Sequence, residues 1–482
     1  MKLEEYARYD AVGLAEIVRS GAVSPTEVIE AAIAAVERLN PRLNAVVLTD
    51  FERARATAGK VDRPAPLAGL PFLVKDVDVF VAEWPTTYSS RFFANAALRP
   101  DSEIVRRWRA AGLVFLGKSN TPEFAADFAT EPSWRGATLN PWNPAVTVGG
   151  SSGGAAAAVA SGMVPAAHGT DVGGSIRIPA ACCGLFGLKP TRGLNPVGPY
   201  YPEMGAGLNC EHVLTRSVRD SAALLDATAG PETGGRYHVV PPVPSYLAAL
   251  TRPPARQRIA LVTGAPDGAA VDPEIIAKTE AAGALLEALG HTVIACDFPP
   301  EAATGYNSTL LWMMDIAIEI QSRAKAIGRR PRPDEMEPLS HAILEQMERL
   351  PASDYVKARL QVHEAAVALA RHFAEFDLVL TPSLATLPPA IGIIDSHSAN
   401  FDYETWANAG YGFAPFSEIF NVTGQPAASL PMFQSASGLP IGIQLVGRQG
   451  DDHNLLALAA QIETECKWLE RHPPIWLGRA AS

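Results

Sequence analysis

Two glycine-serine clusters hold the residues whose types and spacing could do chemistry: Gly149-Gly150-Ser151-Ser152-Gly153-Gly154 and Gly169-Thr170-Asp171-Val172-Gly173-Gly174-Ser175-Ile176-Arg177. Glycines at this density let backbone N–H groups come close to a ligand, so an oxyanion could be held against either cluster. A single cluster of this kind is also an ordinary flexible turn. The first cluster satisfies G-x-S-x-G through Gly149, Ser151 and Gly153, the pattern of a nucleophile elbow. That reading makes Ser151 the nucleophile of a His-dependent esterase of the α/β-hydrolase type. It requires a strand just before the serine and an Asp and a His downstream. The stretch available for the strand is Ala145-Val146-Thr147-Val148, directly after Pro144.

Other chemistries find no complete pattern. Ser322-x-x-Lys325 and Ser398-x-Asn400 are not followed by Lys-Thr-Gly, and His363-Glu364 lacks a second histidine one turn on. The first cluster lacks the Gly-Lys-Ser/Thr ending of a Walker loop. Neither a metal nor a cofactor is expected.

The elements that must position these residues read as α/β. Ser24-Pro25-Thr26-Glu27 is a capping box with proline at the first helical position, followed by apolar residues at helical spacing as far as Leu39, with Pro41 as the expected stop. A short buried strand is expected at 44–48 and further strands at 70–74, 113–116, 259–262 and 292–295, alternating with helices at 51–60, from Asp101 to Ala111 and from Asp272-Pro273 to Gly290. The Pro-rich stretch 240–254 is the best candidate for a seam, and the helical, aromatic segment around 300–410 could form a lid or pocket wall.

A chain of 482 residues, 48% of them hydrophobic, can bury a large core, which excludes disorder and disulfide scaffolds. With a net charge of −11 and no run of Lys or Arg, it offers no nucleic-acid or anionic-membrane surface, so a small-molecule partner is expected. Five cysteines without a CxxC fit a reducing cytoplasm. The charged N-terminus lacks the apolar core of a signal peptide. The apolar stretch 155–167 contains Gly162 and Pro165 and is well short of the roughly 20 residues that span a bilayer, so no membrane segment is expected.

Beyond the two clusters, the chain carries Leu70-Pro71-Phe72 ahead of Lys75-Asp76, then Gly117-Lys118-Ser119-Asn120-Thr121-Pro122-Glu123 and Asn140-Pro141-Trp142-Asn143. Cys183-Gly184, Gly187-Leu188-Lys189-Pro190-Thr191, Asn421-Val422-Thr423-Gly424-Gln425-Pro426 and Leu439-Pro440-Ile441-Gly442 follow in order. In these motifs the sequence resembles the amidase signature family of serine hydrolases over nearly its whole length. The resemblance implies an α/β amidase signature fold, a mixed central β-sheet covered by helices on both faces, in a single domain spanning 1–482.

Carried over residue by residue, the family's triad is Lys75, a serine with a cis peptide bond at Ser151, and the nucleophile Ser175. A serine hydroxyl needs a base, and an amine can serve if burial keeps it unprotonated; Lys75 ends the apolar run 70–74. Ser151 would relay the proton, and the backbone N–H groups of Val172, Gly173, Gly174 and Ser175 would stabilise the oxyanion. Asp171 and Arg177 look like a structural ion pair bracketing this loop. The tRNA-dependent amidotransferase motif Asn-Leu-Ala-Arg-Tyr-Asp-Gly is absent from the C-terminal half, so the chain is similar to free-standing bacterial amidases, including aryl-acylamide and cyclic oligoamide hydrolases. The resemblance implies a hydrolase of carbon-nitrogen amide bonds, with ester and carbamate carbonyls fitting the same machinery; a monomer or homodimer is expected, and the Phe- and Trp-rich candidate wall segments point to small neutral apolar or aryl substrates. Phe124, Phe128, Trp134, Tyr200, Tyr201 and Trp312 are candidate pocket aromatics, and no buried partner for a charged substrate group is identifiable. The Ser151 esterase and a non-catalytic subunit of a larger assembly are the alternative readings.

Overall fold

The structure, a computed structural model, describes residues 1–479; residues 480–482 of the unit expected from the sequence lie outside them. Eleven strands build one mixed sheet: β1 (Val46–Thr49), β2 (Pro71–Lys75), β3 (Val114–Ser119), β4 (Ala166–Asp171), β5 (Phe186–Lys189), β6 (Cys210–Thr215), β7 (Arg258–Leu261), β8 (Thr292–Ala295), β9 (Leu378–Pro382), β10 (Ala427–Gln434) and β11 (Pro440–Gly447). Their spatial order is β1-β3-β2-β4-β6-β5-β10-β11-β9-β7-β8. Three parallel strands, β3-β2-β4, lie towards one end, three more, β9-β7-β8, form the other end, and antiparallel strands join them.

Side chains alternate across a strand, and the sheet buries both sets. Phe72 and Val74 of β2 enter one core with Trp108, while Leu73 enters the opposite core. In the same way Leu378 and Leu380 of β9 pack on one face and Val379 on the other. Helices Pro25–Leu43 and Gly153–Ser161 cover the face of Leu73 and Val379; Glu103–Ala110, Val218–Thr228 and Asp452–Cys466 cover the face of Phe72 and Leu380. The chain on either side of the proline-rich stretch 240–254 belongs to the same sheet, and Tyr246 within that stretch is buried in its core.

Most local expectations hold, although β1 is fully buried only at Val46. The capping box forms as expected, with the Ser24 hydroxyl accepting from the Glu27 N–H and Glu27 accepting from the Ser24 N–H. Pro41, however, does not end that helix, which runs to Leu43. A proline so near the C-terminus removes a single intrahelical bond, and Asn44, in the left-handed region, closes the end by donating to the Asn40 carbonyl at 2.8 Å. The stretch 145–148 forms no strand, only isolated bridges through Val146 and Thr147. The strand that a nucleophile elbow at Ser151 requires is therefore missing.

Candidate active site

Lys75 is the last residue of β2, a strand buried along its whole length, and the two-residue alternation points it to the same face as Leu73, under the helix Gly153–Ser161. Its ammonium is fully buried. Nζ donates to Ser151 Oγ at 2.7 Å and to Thr170 Oγ1, on the neighbouring strand β4, at 2.8 Å. Removal from water pulls the Lys75 pKa down to about 7, although the charges of Asp78, Glu211 and Asp171 oppose the shift.

Behind Lys75 sits a second buried pair. The Lys75 N–H donates to His168 Nδ1 at 3.3 Å, so that nitrogen carries the lone pair and Nε2 bears the proton, donated to Glu211 Oε2 at 2.5 Å. Burial lowers the His168 pKa, in keeping with a neutral ring. Asn209 Nδ2 donates to the other Glu211 oxygen at 2.8 Å, so both oxygens of this buried carboxyl have partners.

Ser151 is held in the turn before the helix Gly153–Ser161, and the Gly150–Ser151 peptide bond is cis. Glycine at 150 is dictated by packing: a Cβ there would lie 2.6 Å from the Ala129 carbonyl oxygen and 2.7 Å from that of Asp127. Ser175 lies in the loop joining β4 to the helix Arg177–Cys183, and its carbonyl accepts from the Ser152 N–H at 3.1 Å, tying the two clusters together. Ser151, Val172, Gly173 and Ser175 all line one cavity.

The second loop is shaped by a buried ion pair. Asp171 binds Arg177 through both carboxylate oxygens, at 2.9 Å from Nε and 2.7 Å from Nη2, and both side chains are fully buried. Arg177 also donates to the Ser417 carbonyl, Gln444 Oε1 and Asn421 Oδ1. Burial alone would raise the Asp171 carboxyl; the Arg177 guanidinium outweighs it and holds the pKa below its ordinary value. The Gly174 N–H donates to Asp171 Oδ1 at 2.8 Å. This engages one of the amides that the sequence reading expects to face an oxyanion, and it shapes the loop. Gly174 has φ +127°, and a Cβ there would lie 2.5 Å from that of Ser417, so glycine is required for the turn itself.

The remaining wall comes from several distant segments. Phe124, Phe128, Tyr201 and Trp312 line the cavity, whereas Trp134 stacks on Arg135 and Tyr200 packs against Phe80 and Arg99 away from it. Trp406, Tyr411 and five carboxyl groups also line it, and sequence reading missed them. Asp78 follows Lys75 by three residues and was the one acid whose position offered a clue. Asp78, Tyr88, Phe124 and Ala125 all line the cavity with positive φ at non-glycine residues, and such backbone strain concentrates at functional sites. Among the described residues no group of three or more His, Cys, Asp or Glu side chains could hold a metal ion, and no helix is long and apolar enough to cross a membrane.

A mixed sheet covered on both faces, with a buried lysine on a serine beside a glycine-lined cavity, defines a class that family comparison identifies. The amidase family model matches residues 27–456, and the chain belongs to that family, the amidase signature hydrolases. It is 38% identical over 479 residues to a 6-aminohexanoate-cyclic-dimer hydrolase of Pseudomonas sp. (strain NK87), covering 97% of this chain and 96% of the relative. It is likewise 38% identical over 471 residues to the putative amidase AmiC of Mycobacterium tuberculosis, covering 96% of each. Among solved structures, a 6-aminohexanoate cyclic dimer hydrolase complexed with substrate superposes with a TM-score of 0.93 at 36% identity, over 97% of this chain and 99% of the other. A bacterial aryl acylamidase superposes with a TM-score of 0.87 at 25% identity, over 98% and 99%.

Proposed function

We propose that this amidase cleaves its substrate through an acyl-enzyme on Ser175. The observation that carries the reading is the fully buried Lys75 amine, 2.7 Å from Ser151 Oγ, on a serine that shares a cavity wall with Ser175. In its neutral form Lys75 takes the Ser151 proton, Ser151 takes that of Ser175, and the Ser175 oxygen attacks the amide carbonyl. The Gly173 and Ser175 amides, with Val172 beside them, receive the oxyanion. The proton held on Lys75 returns through Ser151 to the departing amine, and water then releases the acyl group by the reverse relay.

The substrate in this reading is a neutral amide with an apolar or aryl portion. The aromatic wall formed by Phe124, Phe128, Trp312 and Trp406 supports it, and so do relatives named for a cyclic amide dimer and for aryl acylamides. Five wall carboxyls without a wall lysine or arginine disfavour an anionic substrate. The same reading takes the whole chain as one catalytic unit, a monomer or homodimer in the cytoplasm, in keeping with five free cysteines and a sheet that runs through the proline-rich stretch. A fluorophosphonate probe followed by peptide mapping tests the nucleophile: the adduct is expected on Ser175 and lost in Ser175→Ala. An adduct on Ser151 exchanges the roles of the two serines, and none at all argues for a non-catalytic subunit.

A further inference from the structure

The proposed relay does not use the buried pair behind Lys75, His168 and Glu211, and the strand register shows what that pair does. β2 lies beside β4 where Phe72 opposes Ala166 and Leu73 opposes Ala167, and then the two strands part. On its other side β2 stays paired with β3 as far as Lys75 opposite Ser119. The register with β4, if continued, would set Lys75 against Gly169. Instead the Lys75 N–H is met by a side chain of β4, with His168 Nδ1 accepting at 3.3 Å. A buried backbone N–H without an acceptor is costly, so the imidazole takes the place of a missing carbonyl at the point where the strands separate. The ring is itself held: Trp108 packs on it with ring centroids 5.0 Å apart, and its Nε2 bonds Glu211, whose other oxygen is held by Asn209.

Glu211 also differs from the other charged groups around Lys75. Asp78, in the loop after β2, lines the cavity. Asp171, at the end of β4, is bound by Arg177 through both oxygens. Asp76 and Lys118 pair with one another at 2.9 Å, and the helix Gly153–Ser161 brings no acid or base. Glu211, on β6, is not part of the cavity lining, and its carboxyl bonds His168 and Asn209. Its charge is nevertheless among the three that oppose the pull of burial on the Lys75 amine.

We propose that His168 and Glu211 are positioning residues for the base of this reaction: His168 fixes the Lys75 backbone where β2 leaves β4, and Glu211, which fixes the ring, steadies the protonated Lys75 amine between the two halves of the relay. The inference rests on the reading of Lys75 as that base. A base buried with no negative charge near it would draw the serine proton too weakly, and one with too much would stay protonated at rest.

Glu211→Gln removes the charge and keeps an oxygen for the ring to bond. With less to favour the protonated amine, the acid limb of kcat/KM for an amide is expected to move to lower pH by about 1 unit. A limb that stays in place or moves to higher pH overturns the role of Glu211. Two variants test the ring, and they decide its part even if Glu211→Gln does not fold. His168→Asn sets an amide oxygen near the place of Nδ1, whereas His168→Gln reaches towards Glu211 and leaves the Lys75 N–H without its acceptor. His168→Gln is expected to lower kcat by about tenfold with little change in KM, and His168→Asn to lose less. Equal losses in the two, or a change in KM alone, would make the ring ordinary packing and overturn its role. The titration of Lys75 itself separates this inference from the hydrolase reading; it is followed by NMR at the ε-carbon in protein made with isotope-labelled lysine, with the signal assigned by its loss in Lys75→Arg. If no amide is turned over, or the acid limb does not follow that titration, the reading of Lys75 as base fails, and the midpoint alone decides whether Glu211 acts on Lys75. A midpoint lower in Glu211→Gln than in the unmutated protein supports that action, and an equal or higher one overturns it.

Discussion

The two walls of the cavity are built on different principles. The wall that carries Lys75, Ser151 and Ser175 is made of strand ends and two glycine-rich turns, with backbone packed on backbone so closely that a Cβ at position 150 or 174 would collide with neighbours under 3 Å away. The opposite wall is made of side chains from the helices Gly305–Ile327 and Tyr403–Phe413 and from the segment around Glu418: Trp312, Asp315, Trp406, Tyr411. In the proposed mechanism the first wall fixes where a proton and an oxyanion can go. The second fixes what can sit between them. Substitutions on the first wall should therefore damage stability and chemistry together, and those on the second should damage recognition.

The largest effect is expected at Arg177. Its replacement by methionine leaves Asp171 as an unpaired buried charge and frees the loop that holds the Gly174 and Ile176 amides on that carboxylate. A loss of about 3–5 kcal/mol in denaturant unfolding is expected, with turnover falling alongside it. A smaller effect is expected at Trp312, which is half-buried on the second wall. Trp312→Ala should raise KM by about tenfold, near 1–2 kcal/mol of binding, with a smaller change in kcat and in the melting temperature. Should Trp312→Ala lower kcat and stability as severely as Arg177→Met, the division between the walls would not hold.

The first wall was legible in the sequence because its requirements are local. A glycine forced by a close approach, a serine between glycines and a lysine at the end of an apolar strand all leave marks within a few residues, and the motifs carried these marks through the resemblance to the family. That the Gly174 amide donates to Asp171 was not legible, because spacing cannot tell which N–H a neighbouring carboxylate will claim. The second wall was only partly legible. Phe124, Phe128, Tyr201 and Trp312 were singled out correctly, but Trp134 and Tyr200 look the same in sequence and pack elsewhere. Trp406, Tyr411 and Glu418 reach the cavity by tertiary contacts alone, and nothing adjacent to them in the chain distinguishes them from core or surface residues. The Ser151 esterase reading fails for a physical reason, since Ala145–Val148 forms no strand and the Ser151 hydroxyl lies against an amine.

The central claim is that Lys75 acts first as the base for Ser175 through Ser151 and then as the acid for the departing amine. The sign of its pH dependence follows from its lowered pKa: above about 7 the amine is neutral and can accept a proton, and below that it is protonated and cannot. An amide needs both steps, because an amine leaves only when protonated, whereas an aryl ester releases a phenolate without that help. The decisive measurement is kcat/KM for a matched anilide and phenyl ester across pH, in the unmutated enzyme and in Lys75→Ala. We expect amide turnover by the unmutated enzyme to fall towards tenfold per pH unit below about 7, and Lys75→Ala to lose at least about 100-fold more on the amide than on the ester. Equal losses on the two substrates would reduce Lys75 to a base or a structural residue, and an undiminished Lys75→Ala enzyme would contradict the triad.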